Sequence, residues 1–152
     1  MRSLLCFLIA VTTTAISSCD RCSNIACDQF PPEGYFRIVS ATTGQDLVFG
    51  STRIYDKNQI KFYSLTTTDT TFLNYQAIKI SGTGYDSVLR VRFYPSKEVA
   101  YMRLSNGDID TLNITYKTTT TRCCGNGTEI TNFRYNNTVD IPGDKAIQEL
   151  KK

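Results

Sequence analysis

The sequence predicts an all-β fold made of short strands that pack as a sandwich or a barrel. The first observation is period-two alternation: Leu89–Phe93 alternates apolar residues with arginines, which places the two kinds on opposite faces of a strand. The second is turn chemistry between apolar runs, clearest at Ser105–Asp108, where Asn-Gly marks a hairpin. The third is the regular spacing of roughly seven to nine such runs, which is typical of sandwiches and barrels.

Four strands are predicted in the first half of the chain, each rich in β-branched and aromatic residues and bounded by polar or glycine-containing turns. They are Tyr35–Val39, Leu47–Phe49, Ile60–Leu65 and Tyr75–Ile80. The polar stretch Thr66–Thr71 is predicted to be a loop between the third strand and the fourth.

The second half predicts four more strands. They are Leu89–Phe93, Ala100–Leu104, Ile109–Lys117 and Glu129–Tyr135. Thr118–Thr121 either continues the third of these or leaves it as an extended arm, and Gly125–Gly127 is predicted to be a turn. Asp144–Lys152 can form a short C-terminal helix, with Asp144 as its cap and Ile147 and Leu150 facing the domain.

Among sandwiches and barrels, the pattern favours an antiparallel immunoglobulin-like β-sandwich. Val39–Gly50, with Thr43-Gly44 and Leu47, resembles the opening of transthyretin-like and carboxypeptidase-regulatory-like modules. That resemblance implies a β-sandwich and no particular activity.

The N-terminal segment is predicted to be a secretory signal. Arg2 is followed by the apolar run Leu4–Val11 and then by small residues, and the run is shorter than the roughly 20 apolar residues of a transmembrane helix. Ile16-Ser17-Ser18-Cys19 resembles a bacterial lipobox. The resemblance implies cleavage before Cys19, which would carry a diacylglyceryl group and bind the lipid bilayer.

Ordinary cleavage after Ala15-Ile16-Ser17 is the alternative, and cysteine parity favours the lipobox. Cleavage before Cys19 removes Cys6 and leaves five of the six cysteines, and an odd cysteine in an exported protein needs an explanation. Lipidation of Cys19 supplies one. The predicted organisation is therefore a lipoprotein signal peptide at 1–18, a lipidated arm with two cysteines at 19–34, and a single β-sandwich domain at 35–152.

The four remaining cysteines are predicted to form disulfides. Cys123 and Cys124 are adjacent, and a bond between them would be strained, so we expect both to pair with Cys22 and Cys27 of the arm. Which arm cysteine pairs with which partner is left open. A metal site of four cysteines is the disfavoured alternative, because exported thiols oxidise and structural zinc sites use spaced pairs.

Composition argues against several functions. The formal net charge is only +3, and the charges are scattered, so no nucleic-acid footprint is visible. The chain has no histidine, which removes the commonest general base and zinc ligand, and we expect neither an enzyme nor a cofactor. Asp108 and Asp110 could bind calcium, although a turn position for Asp108 and a solvent-facing position for Asp110 are the favoured interpretation.

The whole mature chain resembles small Bacteroidetes lipoproteins. The motifs behind this are the lipobox, Gly44–Leu47, Gly107–Leu112 with Tyr116, and Cys123-Cys124-Gly125. The resemblance implies an address in the cell envelope, at the outer rather than the inner membrane, and carries no activity. We expect a binding or structural module whose partner is another envelope protein or a glycan; the alternative is a lipoprotein that binds a small molecule, a glycan or calcium.

Overall fold

A computed structural model of the chain describes residues 22, 27, 30–80 and 87–152, and shows two β-sheets packed face to face. The strands in chain order are β1 (Glu33–Val39), β2 (Lys61–Leu65), β3 (Thr70–Phe72), β4 (Tyr75–Ile78), β5 (Val88–Arg92), β6 (Val99–Ser105), β7 (Asp108–Thr121), β8 (Gly125–Tyr135), β9 (Val139–Pro142) and β10 (Gln148–Lys151). One sheet has the order β10-β1-β5-β4 and the other β3-β2-β6-β7-β8-β9. The predicted immunoglobulin-like sandwich is confirmed.

The core lies between the sheets and comes from the alternating positions of the strands. In β6, Ala100, Met102 and Leu104 are all buried while the residues between them are not, as the period-two pattern predicts. Four phenylalanines fill the centre, each at most 1% exposed, namely Phe36, Phe62, Phe93 and Phe133. Phe36 and Phe133 meet edge to face with ring centroids 5.2 Å apart, a favoured arrangement of aromatic rings.

The predicted strand at Leu47–Phe49 is wrong. These residues form a bend, and only Asp46 makes an isolated bridge to Val39. One carboxylate oxygen of Asp46 accepts hydrogen bonds from the backbone N–H groups of Val48 and Phe49 at 2.9 and 2.7 Å. This side-chain capping competes with a strand ladder, so Leu47 and Val48 are buried without joining a sheet.

The predicted C-terminal helix is also wrong, since residues 148–151 form β10. This strand pairs in parallel with β1, the one parallel pair among the described strands. Its alternation buries Gln148 and Leu150, and the Gln148 side chain accepts a hydrogen bond from the Tyr35 backbone at 2.8 Å. A helix of so few residues is marginal by itself, so a sheet edge that offers unpaired backbone groups determines the outcome.

β7 and β8 form a long hairpin that extends beyond the rest of its sheet. β7 has 14 residues, but its pairing with β6 ends at Asn113. Thr118–Thr121 continues β7 and pairs with residues 125–128, so the predicted turn at Gly125–Gly127 is instead the start of β8. The chain reverses through the turn at residues 122–124, and Gly125 takes a left-handed conformation with φ of 67°.

Candidate functional site

The end of the β7–β8 hairpin is cross-linked to the N-terminal arm by two disulfides. Cys22 is bonded to Cys123 and Cys27 to Cys124, so the predicted cross-link is confirmed and the pairing left open by the sequence is resolved. Cys123 and Cys124 lie in the turn rather than in a strand, and the backbone N–H of Cys124 donates to the Thr121 hydroxyl at 3.1 Å. Adjacent cysteines in a turn can therefore each reach one cysteine of the arm.

The predicted lipidation residue, Cys19, and the signal peptide at 1–18 lie outside the described residues. Cys22, which is described, follows Cys19 by three positions in the sequence. The Cys22–Cys123 disulfide therefore fixes Cys22, the described residue nearest in sequence to Cys19, to the end of the β7–β8 hairpin.

A second cluster forms around Asp108 and Asp110 at the opposite end of β7. The ammonium nitrogen of Lys152, just after β10, lies 2.5 Å from Oδ1 of Asp108 and 2.9 Å from Oδ2 of Asp110. The hydroxyl of Tyr55 donates to Asp108 at 2.7 Å and that of Tyr135 to Asp110 at 2.8 Å. The cluster joins the two sheets, because β7 belongs to one and β10 to the other.

The expected solvent-facing position of Asp110 is wrong: the residue is 3% exposed. Asp110 lies on the same face of β7 as Leu112 and Ile114, which are also buried. The period-two alternation that predicts burial of those two residues therefore also predicts burial of Asp110. The buried carboxylate is satisfied by Lys152, Tyr135 and the side-chain amide of Asn136.

The charges in this cluster stabilise one another. Burial raises the pKa of Asp108, but hydrogen bonds from Lys152 and Tyr55 and the charge of Lys152 outweigh it, so the pKa lies below its ordinary value of 3.8. Burial lowers the pKa of Lys152, but its hydrogen bonds to both carboxylates raise the pKa above its ordinary value. Burial and the hydrogen bond to Asp108 raise the pKa of Tyr55 to about 12. The cluster is therefore an ion-paired link at neutral pH.

This arrangement leaves little support for calcium binding at Asp108 and Asp110. The Lys152 ammonium already lies between the two carboxylates, where a cation would have to bind. No group of three or more metal-ligating side chains occurs among the described residues. A ligand between the sheets would likewise have to displace the central phenylalanines, which are fully packed.

The outer face of the six-stranded sheet carries a row of aromatic side chains that the sequence did not single out. Phe72 of β3, Tyr63 of β2 and Tyr101 of β6 are cross-strand neighbours in register. The Tyr63 centroid lies 6.3 Å from that of Phe72 and 5.4 Å from that of Tyr101. Phe72 is 61% exposed. We call these three residues the aromatic row.

Two cations lie beside the aromatic row. Lys61 and Arg103 are cross-strand partners on the same outer face, two residues along their strands from Tyr63 and Tyr101. The Lys61 ammonium is 5.8 Å from the centroid of the Phe72 ring. In the part of the chain that the structure describes, neither cation forms an ion pair.

The outer face of the four-stranded sheet is different, because its arginines are internally paired. Arg37 contacts Asp46 at 3.0 Å, and Arg92 contacts Glu33 at 2.8 Å. Arg90 donates to Gln76 and lies 4.0 Å from Glu33. These three arginines therefore differ from Lys61 and Arg103, which lie beside the exposed Phe72 ring without an ion pair to a described residue.

Comparison of the chain with protein-family models, curated proteins and solved structures found no match. Within residues 22, 27, 30–80 and 87–152, no helix is long and apolar enough to span a bilayer.

Proposed function

We propose that this chain is an exported lipoprotein, anchored through an acylated Cys19 at the outer membrane, that acts as a non-catalytic binding or structural module of the cell envelope. The observation that carries the proposal is the double disulfide between the arm and the β7–β8 hairpin. Disulfides of this kind belong to an oxidising compartment, in agreement with an export signal.

The disulfides give the anchor a mechanical consequence. Three residues of extended chain reach only about 10 Å, so an acyl group on Cys19 would hold Cys22 close to the bilayer. Cys22 is bonded to Cys123 at the hairpin end, so the hairpin end would face the membrane. Without the bridges, the chain from Cys19 to the start of β1 at Glu33 would act as a much longer tether.

The same geometry presents the far end of the sandwich to the surroundings. Tyr101 of the aromatic row pairs with Thr111, and the ten residue-to-residue steps of β7 from Thr111 to Thr121 span about 33 Å. The aromatic row would therefore lie well away from the bilayer, where an envelope protein or a glycan can reach it. A binding role also agrees with a chain that has no histidine for general acid–base work.

Mass spectrometry of the native protein from a membrane fraction, digested without reductant by a protease that does not cleave after Arg21, tests the proposal. The first peptide should begin at Cys19 with a diacylglyceryl mass, and it should stay linked to the peptide that holds Cys123 and Cys124. A Cys19→Ser variant is the matched control, which should lose the lipid mass and keep the cross-links. A native chain that begins unmodified at Ser18 would contradict the anchor.

A further inference from the structure

We propose that the aromatic row, with Lys61 and Arg103, binds a linear anionic polysaccharide, a chain of sugars that carry carboxylates. This inference rests on the binding role proposed above and names its partner. Its geometry does not require the lipid anchor, so the two can be tested separately.

The aromatic row supplies the stacking part of such a site. Aromatic rings present an apolar face, and tyrosine adds a hydroxyl that hydrogen-bonds at the edge of the ring. A sugar ring has a matching character, with an apolar C–H face and hydroxyls around its rim. The three rings follow one another across three strands, with centroids 6.3 and 5.4 Å apart, so they offer one sugar chain a continuous strip of apolar surface.

Cross-strand packing accounts for only part of the row. The Tyr63–Tyr101 pair, with an interplanar angle of 21°, stabilises the β2–β6 contact, as such pairs do in sheets. Phe72 lies at the edge of the sheet and leaves 61% of its surface in water, beside the half-exposed Leu65. A row one ring wide fits a chain molecule better than the compact patch typical of protein hot spots.

The two cations beside the aromatic row indicate a negatively charged ligand. Lys61 and Arg103 face each other across β2 and β6 beside the row and have no acidic partner among the described residues. Arg37, Arg90 and Arg92 of the opposite outer face each lie beside an acid, so these arginines are less available to an anionic ligand than Lys61 and Arg103 are. Carboxylates on a sugar chain complement the charge of a neighbouring lysine and arginine, and the guanidinium can bind one in a bidentate manner.

Binding of polygalacturonate to the purified full-length protein in detergent, by isothermal titration calorimetry, tests the inference, with dextran as the neutral control. We expect polygalacturonate to bind and dextran not to. Tyr101→Ala should weaken binding about tenfold, the upper range of one aromatic contact. Lys61→Gln with Arg103→Gln should also weaken it and remove most of its salt dependence. Arg90→Gln, on the opposite face, is the matched control and should bind as the native protein does.

The remaining outcomes overturn the inference. No heat with polygalacturonate, equal binding of dextran, or equal loss in Arg90→Gln would each exclude this site. Self-association that is abolished by Phe72→Ser, with no polysaccharide bound, would show that the row is an interface between copies of the chain. Circular dichroism of each variant separates lost binding from lost folding. An acylated protein that binds no polysaccharide would refute this inference and leave the lipid anchor supported. An unacylated protein that binds polygalacturonate would refute the lipid anchor and support this inference.

Discussion

Replacing Cys22 and Cys123 together by serine removes one disulfide and leaves the Cys27–Cys124 bridge in place. The two bridges close loops of almost the same length, with sequence separations of 101 and 97 residues. Either one alone therefore removes nearly the same entropy from the unfolded chain. The loss of the first bridge should cost much less than the loss of the second.

The stability lost on removal of each bridge follows from chain entropy. A first bridge across a loop of about 100 residues stabilises the fold by about 4.7 kcal/mol. A second bridge then closes only a small ring, five residues from Cys22 to Cys27 and one from Cys123 to Cys124, and the same relation gives about 2 kcal/mol for it. Removing either bridge should cost about 2 kcal/mol, and removing both about 7 kcal/mol, more than twice as much.

Urea unfolding without reductant, followed by circular dichroism, measures these differences. All variants should also carry Cys19→Ser, so that no fifth thiol can exchange with the bridges. Because whole domains are stable by about 5–15 kcal/mol, the variant without either bridge should be close to unfolded, while each single-bridge variant stays folded. If both removals together cost no more than the sum of the two single removals, the shared-loop reasoning is refuted.

Three further predictions concern the core and the Asp108–Asp110 cluster. Asp108→Asn should make stability less dependent on pH in the acid range. The pKa of Asp108 in the folded protein lies below its ordinary value of 3.8, so the stabilisation by this carboxylate is present above pH 3.8 and is lost as the pH falls through the folded pKa. Urea unfolding midpoints measured at successive pH values would show the difference. Asp110→Ala should cost about 2–3 kcal/mol in urea unfolding and exceed the cost of Asp108→Ala, because it leaves the buried Tyr135 hydroxyl without its acceptor. Gly34→Ala should cost about 1–3 kcal/mol in thermal or urea unfolding, because a Cβ there would lie 2.7 Å from the buried Phe36 ring.

Each of these has an outcome that would contradict it. An acid profile unchanged in Asp108→Asn would mean that this carboxylate is not ion-paired in solution. Equal costs for the two alanine variants would show that burial of Asp110 does not matter energetically. A fully stable Gly34→Ala protein would mean that the core near Phe36 can rearrange at no cost.

Much of the fold was predictable because strand alternation is a local property. Side chains in a strand point alternately to its two faces, so the buried positions of β5 and β6 follow from their sequences alone. The bend at Leu47–Phe49 was missed because the Asp46 side chain captures the backbone N–H groups that a strand would use. β9 and β10 were missed because they are four residues each, too short for a pattern to decide their structure.

The candidate sites also divide into features that local sequence predicts and contacts that depend on the tertiary fold. By itself, the sequence determined the β class and the hairpin at Ser105–Asp108, and it favoured a cross-link between the arm and Cys123-Cys124, since alternation, turn chemistry and the strain of bonding adjacent cysteines all depend on residues close in the chain. Tertiary structure alone decided which cysteines pair, brought Lys152 to Asp108 and Asp110, and placed Phe72 beside Tyr63 and Tyr101. Those contacts join residues far apart in sequence, and their geometry depends on strand order and register, which no local pattern contains.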